Sequence, residues 1–495
     1  MNNKRAWQFR AAGLISGLLM MFPHLYPIAA PVQLLALLPV LYLGTNKSAR
    51  NRDILVAGFY MGIAYTLPQM YVVRLPVAMT VILLLHLTVL MMVFTLVSSK
   101  LMKSSLLGGA FAIGAFIVLL DWVNFTVIPI WGTAQSFVRP WSRYPFLIQF
   151  VSLTGITGII FALVTLQALG VKLIVFRKHQ ARVLAAMTIM VLVLASVNIC
   201  IRSQQPTGRL KVAAVGWNSD DCQEYGELYT QKGFESLFAE PAAQAASQGA
   251  KLIVSPEMGF YFGNEKRDGW LEKFREVAQK HNVFLAIGYF NDKLQENRLL
   301  FMSPDGQDIA EYTKTYLTVF ENSVKGDGSL ATVDIGQVRI GGMICQDDNF
   351  TRLSRAYGRE EIGLVAVPSL DWRQVKNAHF QNSIHRAIES RYAIVRAACN
   401  GISGIISPMG DVIAQRDHFS QGPGFVVAEV DIYSNRTFFS IAGHWPVVLC
   451  FVFLIMYLSW NFVKSRSLKP LESDRTKAIE KSSDSKTQEI YSAFI

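Results

Sequence analysis

Seven apolar segments follow one another in the first 201 residues, at 9–24, 26–45, 53–73, 76–98, 105–127, 146–175 and 183–201, and an eighth lies at 440–463. Most approach the roughly 20 residues that a helix needs to cross the hydrocarbon core of a bilayer. A soluble core offers no room for so many, so the chain is expected to be an integral membrane protein with eight transmembrane helices. Its composition agrees: of 495 residues, 51% are hydrophobic and 17% charged. No small-residue cleavage site follows the first segment, which is therefore read as retained.

The loop charges set an expected orientation. Lys4, Arg5 and Arg10, then Lys47, Arg50 and Arg52, then Lys100 and Lys103, then Arg177, Lys178 and Arg182, and finally Lys464 and Arg466 all fall on one side. Basic short loops mark the cytoplasmic side. Both termini are then cytoplasmic, and residues 202–438 lie outside. The net charge of +11 comes mostly from these loops, so nucleic acid is not expected as a partner. The expected division is a seven-helix membrane domain at 1–201, an extracytoplasmic domain at 202–438, the eighth helix at 439–463 and a polar cytoplasmic tail at 464–495.

The segment 202–438 has a different character. Short β-rich runs such as "LKVAAVGW", "KLIVSPE", "VFLAIGYF" and "IGLVAVPS" recur, with helical patterns at 228–248, 268–281 and 374–391. The turns "SPDG" and "SPMGD" predict hairpins. Many strands and few helices point to two sheets flanked by helices rather than one doubly wound sheet.

Three ionisable residues stand where predicted strands meet loops: Glu257 in "KLIVSPEMGF", Lys314 in "IAEYTKTYL" and Cys345 in "RIGGMICQDDNF". Each alone has an ordinary explanation, and a lone cysteine is commonly a small buried apolar residue. As an ordered set they fit acyl transfer through a thioester. A thiol is mostly protonated at neutral pH and needs a base, which Glu257 supplies as general base and acid. Lys314 stabilises the thiolate and the oxyanion, and the backbone N–H of Gln346 offers a second oxyanion donor. Asp347 is expected to orient the nucleophile loop by pairing with Arg386 or Arg391. The five cysteines show no zinc spacing. The helix carrying His379, His385, Arg386 and Glu389 reads as a packing helix with surface ion pairs, so neither metal nor cofactor is expected. Asp121, inside the fifth segment, is read as a structural pairing. The aromatic stretches 137–141 and 259–264 read either as an ordinary interfacial aromatic belt or, by position, as the border of a lateral entrance for acyl chains.

"SPEMGF", "EYTKTYL" and "VRIGGMICQDD" resemble the three motif regions of the carbon–nitrogen hydrolase (nitrilase) superfamily, with its Glu–Lys–Cys triad, and "HRAIESRYAIVRAACNGISGIISPMGDVIAQ" resembles its downstream block. The resemblance implies an αββα sandwich. Eight spans with this domain between the seventh and eighth resemble the layout of the bacterial apolipoprotein N-acyltransferase family. That resemblance implies a monomeric inner-membrane enzyme with a phospholipid as acyl donor. Its acceptor would be the α-amino group of a diacylglyceryl-cysteine lipoprotein. It also implies a second supporting carboxylate at Glu321. The chain departs from the acyltransferase pattern after Lys314, where "KTYLTVFEN" lacks a Pro and a Gly. It departs again after Cys345, where Gln346 and Asp347 replace an aromatic and a Glu. A membrane-tethered amidase-like hydrolase, or another amine acceptor, is the alternative.

Overall fold

The computed structural model describes residues 3–127, 132–218, 230–262 and 264–467. The tail expected at 464–495 lies, beyond residue 467, outside the described residues. Among the described residues, six segments are long and apolar enough to cross a membrane: Pro27–Gly44, Val77–Met102, Leu106–Thr126, Thr157–Val175, Arg177–Arg202 and Trp445–Lys464. The other two expected spans are the helices Asn3–Leu25 and Asn51–Val73, which are less apolar. They lie side by side. At Gly17 an added Cβ would come 2.4 Å from the carbonyl of Met61, so only a residue without one lets the backbones approach this closely.

Two expected spans differ in form. The segment 26–45 is not one helix: a 3-10 helix at Pro27–Leu35 gives way to an α-helix at Leu38–Gly44. Pro27 and Pro31 deny it two backbone donors. The segment 146–175 becomes helical throughout only from Thr157. Before it come two short turns, Pro145–Leu147 and Val151–Thr154, and the second stops at Gly155.

The rest of the chain carries thirteen strands among the described residues: β1 (Gly208–Gly216), β2 (Leu252–Val254), β3 (Phe260–Phe262), β4 (Phe284–Asn291), β5 (Glu296–Met302), β6 (Asp308–Thr313), β7 (Thr332–Ile335), β8 (Val338–Gly342), β9 (Leu364–Leu370), β10 (Ala393–Cys399), β11 (Ile402–Ile406), β12 (Val412–Asp417) and β13 (Gly424–Ile432). One sheet has the order β13-β1-β2-β4-β5-β6, with β3 on β4, and the other β12-β11-β10-β9-β8-β7. Both predicted hairpins form, β5 with β6 and β11 with β12. The expectation did not include β3, β7 or the helix Thr351–Arg359.

Side-chain alternation explains the layering. In the first sheet Val212, Ala214, Val254, Ala286, Leu299 and Phe301 join the central core. Their neighbours Ala213, Val215, Ile253, Leu285 and Ile287 face outward under Phe234, Phe238, Leu271 and Phe274 of the covering helices. Both faces are buried, so these strands read as almost continuous apolar runs. Helices Thr351–Arg359 and Lys376–Ser390 belong with the second sheet. This is the expected αββα sandwich.

The sandwich rests directly on the loops between the apolar helices. Gln149 Nε2 donates to the carbonyl of Met409 at 2.8 Å, and the Ile156 N–H donates to Glu389 Oε1 at 2.9 Å. Asp121 accepts from Ser136 Oγ at 2.6 Å and Asn124 Nδ2 at 3.3 Å, a structural pairing that ties a helix to the loop beyond it.

Candidate active site

Glu257, Lys314 and Cys345 all lie just past strand ends, after β2, β6 and β8. All three are buried. Lys314 Nζ donates to Glu257 Oε1 at 2.6 Å and to Glu321 Oε2 at 2.7 Å. Asn297, on β5, donates to both carboxylates from Nδ2, at 2.8 Å to Glu257 and 2.9 Å to Glu321. The remaining Glu257 oxygen accepts the Leu370 N–H at 2.6 Å. Two carboxylates thus hold one ammonium. Burial disfavours the Lys314 charge, but Glu257, Cys345 and Glu321 outweigh it and hold the lysine pKa above its ordinary value. Burial likewise opposes the Glu321 charge, and Lys314 outweighs it, so that carboxyl is held below its ordinary value.

Cys345 starts a 3-10 turn, Cys345–Asn349, with φ of 45°. That left-handed conformation is rare for a side chain with a Cβ and is characteristic of strained turns at functional sites. Its Sγ lies 3.6 Å from the Leu370 carbonyl. Burial, then the charge of Glu257, push the thiol pKa well above its ordinary value, against the pull of Lys314 and Arg396. The resting thiol is therefore protonated and requires a base.

Asp347 does not pair with Arg386 or Arg391. Its Oδ1 accepts the N–H groups of Thr315 at 3.1 Å and Tyr316 at 2.6 Å, and its Oδ2 accepts the Tyr312 hydroxyl at 2.8 Å and the Ile344 N–H at 3.1 Å. Donors from the adjacent lysine loop reach it first, and the arginines are engaged elsewhere. Arg386 pairs with Glu389 at 2.7 Å, and Arg391 Nη1 points to the Met409 sulfur. Burial raises the Asp347 carboxyl to about 7. Gln346 is buried and its side-chain oxygen accepts from Asn349 Nδ2 at 2.9 Å.

The helix Lys376–Ser390 is not a surface helix with ion pairs. His379, His385, Arg386 and Glu389 are all buried, because the helix is covered by the sheet on one side and by the loops between the apolar helices on the other. His379 Nδ1 lies 2.8 Å from Asp371 Oδ1, and Arg396 Nη2 reaches both Asp371 oxygens at 2.9 and 3.0 Å. Cys345, Asp371 and His379 each offer a potential ligand atom, all within 4.8 Å of one another. A cation there would compete with the Arg396 guanidinium, so the set fits a hydrogen-bonded support for the cysteine better than a metal centre. Asp371 directly follows β9, a fourth strand end that the "VPSLDW" stretch could have signalled. Asn297 and Tyr312 lie within strands and carry no such signal.

The loop after Leu106–Val127 buttresses the Cys345–Asn349 turn. Thr133 Oγ1 lies 3.0 Å from the Asn349 carbonyl and 3.1 Å from Asn382 Oδ1. A cavity of about 170 Å³ opens beside this contact, lined by His24, Met70, Leu83, Leu87 and Arg139 from the helical part and by Gln374, Val375, Asn377, Ala378 and His379 from the sandwich. His379 therefore joins the cavity to the cysteine. Of the two expected entrance stretches, Arg139 of 137–141 reaches the cavity. Phe260 is instead buried beneath Trp217 in the sandwich core, and the side chains of 261–264 lie outside the described residues.

Residues 211–437 match the family of carbon-nitrogen hydrolases. The chain is 26% identical over 269 residues to the nitrilase and fragile histidine triad fusion protein NitFhit of Caenorhabditis elegans, covering 47% of this chain and 59% of that protein. It is 26% identical over 338 residues to the apolipoprotein N-acyltransferase of Geobacter metallireducens, covering 60% of this chain and 64% of that enzyme. The chain thus spans about six-tenths of the length of each. The solved NitFhit structure is similar over 46% of this chain and 62% of that one, at 25% identity and a TM-score of 0.38. The match to the acyltransferase covers more of this chain than residues 211–437 alone.

Proposed function

We propose, from the premise that residues 211–437 belong to the carbon–nitrogen hydrolase family, that this chain is a membrane N-acyltransferase working through a cysteine thioester. The observation that carries the reading is the apolar cavity beside the Val77–Met102 helix that ends at His379, within 4.8 Å of the Cys345 cluster. A soluble amide substrate has no need of such a route, whereas an acyl chain does.

In the first half-reaction Glu257 takes the thiol proton and Sγ attacks the ester carbonyl of a phospholipid. The oxyanion forms near Lys314 and the Gln346 N–H. The carbonyl–oxygen bond breaks, the glycerol oxygen receives the proton from Glu257, and a lysophospholipid leaves. In the second half-reaction a neutral amine attacks the thioester, Glu257 accepts its proton and the carbon–sulfur bond breaks. Sγ is reprotonated and the amide leaves. The acceptor is the α-amino group of a diacylglyceryl-cysteine lipoprotein. Glu321 shares the Lys314 charge, and Asp347 fixes the nucleophile turn. The chain crosses the bacterial inner membrane eight times, with residues 202–438 on its outer face.

The relatives also favour a hydrolase, in which water takes the place of the amine. Incubation of the purified chain with phospholipid labelled in its acyl chain separates the readings. The acyltransferase requires a hydroxylamine-sensitive adduct, lost in Cys345→Ser, whose label moves to a lipopeptide amine. Label that leaves only as free fatty acid assigns the hydrolase. No adduct at all overturns the lipid donor.

A further inference from the structure

Arg139 sits in the wall of the cavity with no anion beside it. Its guanidinium makes three hydrogen bonds, all to neutral groups: Nε to Gln381 Oε1 at 3.2 Å, Nη1 to the Ala134 carbonyl at 2.7 Å and Nη2 to His24 Nδ1 at 2.9 Å. No carboxylate lies within ion-pair reach among the described residues. A cation withdrawn from water is ordinarily paired, as Arg396 is with Asp371 at 2.9 Å.

Because Arg139 donates to His24 Nδ1, the neutral ring carries its proton on Nε2, which is buried and faces the Phe137 backbone rather than the cavity. One cavity therefore holds a guanidinium without a counter-ion and an apolar wall that includes Met70, Leu83 and Leu87, and it reaches His379 beside the thiol. The ligand that satisfies all of these is an amphiphile with an anionic head close to its acyl ester.

We infer that Arg139 binds the phosphodiester of the acyl-donor phospholipid and so selects a phosphate-bearing donor. The planar guanidinium fork matches two phosphate oxygens, and His24 holds the fork in place through Nδ1. This assignment rests on the donor reading above and adds the headgroup site to it. Arg139 and His379 line the same cavity, and a His379 ring nitrogen lies within 4.8 Å of the Cys345 sulfur, so a lipid held there by its phosphate has its ester in reach of the thiol.

The test is equilibrium binding to the full chain in detergent, in Cys345→Ala and in Cys345→Ala with Arg139→Gln, with a fluorescent phosphatidylglycerol and a diacylglycerol carrying the same chains. We expect phosphatidylglycerol affinity to fall about tenfold or more with Arg139→Gln and diacylglycerol affinity to stay unchanged. An equal loss for both lipids, or none for either, overturns the proposal. Water-soluble glycerophosphoglycerol is the third probe. If it binds as tightly as the lipid, the site takes free phosphodiesters and the lipid assignment fails. Thioester formation on Cys345 is scored separately in the wild type. Arg139-dependent binding without an adduct sinks the acyl-transfer reading alone, and an adduct with Arg139-independent binding sinks the headgroup site alone.

Discussion

The Asp347 carboxylate accepts the Tyr312 hydroxyl at 2.8 Å, and this contact fastens the turn carrying Cys345 to the strand that leads into Lys314. The same carboxylate also accepts N–H groups from Thr315, Tyr316 and Ile344. It therefore sets the Lys314 and Cys345 loops in one frame. Asp347→Ala leaves three backbone donors without that acceptor and lets the two loops drift. A displacement near 1 Å costs on the order of 100-fold in rate, so acyl-adduct formation is expected to fall by about that factor. Stopped-time labelling at saturating lipid measures it. Unchanged labelling removes Asp347 from the positioning role.

The same residue predicts a pH effect on stability. Burial raises its carboxyl from the ordinary range to about 7. Between roughly pH 4 and 7 the folded chain keeps a proton that the unfolded chain releases. Stability contributed by this group is thus full at low pH and is lost as pH rises through 7, by a few kcal/mol at most. Asp347→Asn keeps an acceptor for Thr315 and Tyr316 but cannot ionise. Thermal unfolding in detergent at pH 5, 6, 7 and 8 is expected to show a shallower decline in the variant than in the wild type. Parallel curves would refute the assignment.

Gly132 links the helical part to the Cys345–Asn349 turn through Asn349 and Phe350. Its φ is 50°, and a Cβ there would lie 2.3 Å from the Asn349 carbonyl. Gly132→Ala must push the Cys345–Asn349 turn or adopt a strained backbone. The expected outcome is a drop of tenfold or more in adduct formation, while far-UV circular dichroism stays native. A variant with wild-type rates would show that the turn does not depend on this contact.

Most of the sandwich was legible because its strands obey simple patterns. Alternation in β1, β2, β4 and β5 places every second residue in one of two apolar cores, which leaves apolar runs bounded by turns. Glu257, Lys314 and Cys345 stand out in the sequence for a related reason, since they interrupt such runs at their ends. The partners of Asp347 were not legible. Four donors from residues 312, 315, 316 and 344 converge only after β6 and β8 are brought together in space, and backbone N–H groups leave no mark in a sequence. The helix Lys376–Ser390 misled for the opposite reason. Its many polar residues resemble a solvent face, yet Arg386 and Glu389 are both buried and lie against one another as an ion pair at 2.7 Å.

Lys314 carries a structural duty as well as a chemical one. Its ammonium lies between Glu257 and Glu321 at 2.6 and 2.7 Å. Lys314→Met leaves two buried carboxylates facing one another, a loss of about 3–5 kcal/mol when a buried pair is broken. Adding Glu321→Gln removes one charge and is expected to restore part of the melting temperature. Neither variant is expected to form adduct, since the group nearest the oxyanion is gone. Full thermal recovery of the double variant together with wild-type labelling would exclude Lys314 from the chemistry.

Cys345 holds its left-handed backbone, with φ of 45°, at a cost that the rest of the turn must cover. A residue with a Cβ loses roughly 1 kcal/mol in that region and glycine does not. Cys345→Ala removes the sulfur but keeps the strain, whereas Cys345→Gly removes both. Neither replacement can form a thioester, so activity is abolished in each and the comparison isolates the backbone. Cys345→Gly is expected to be more stable than Cys345→Ala by about 1 kcal/mol, and at least as stable as the wild type. Chemical denaturation of the three proteins in one detergent measures this. If alanine proves the more stable replacement, the turn is not strained at the nucleophile, and its geometry must come from the Asp347 and Gly132 contacts alone.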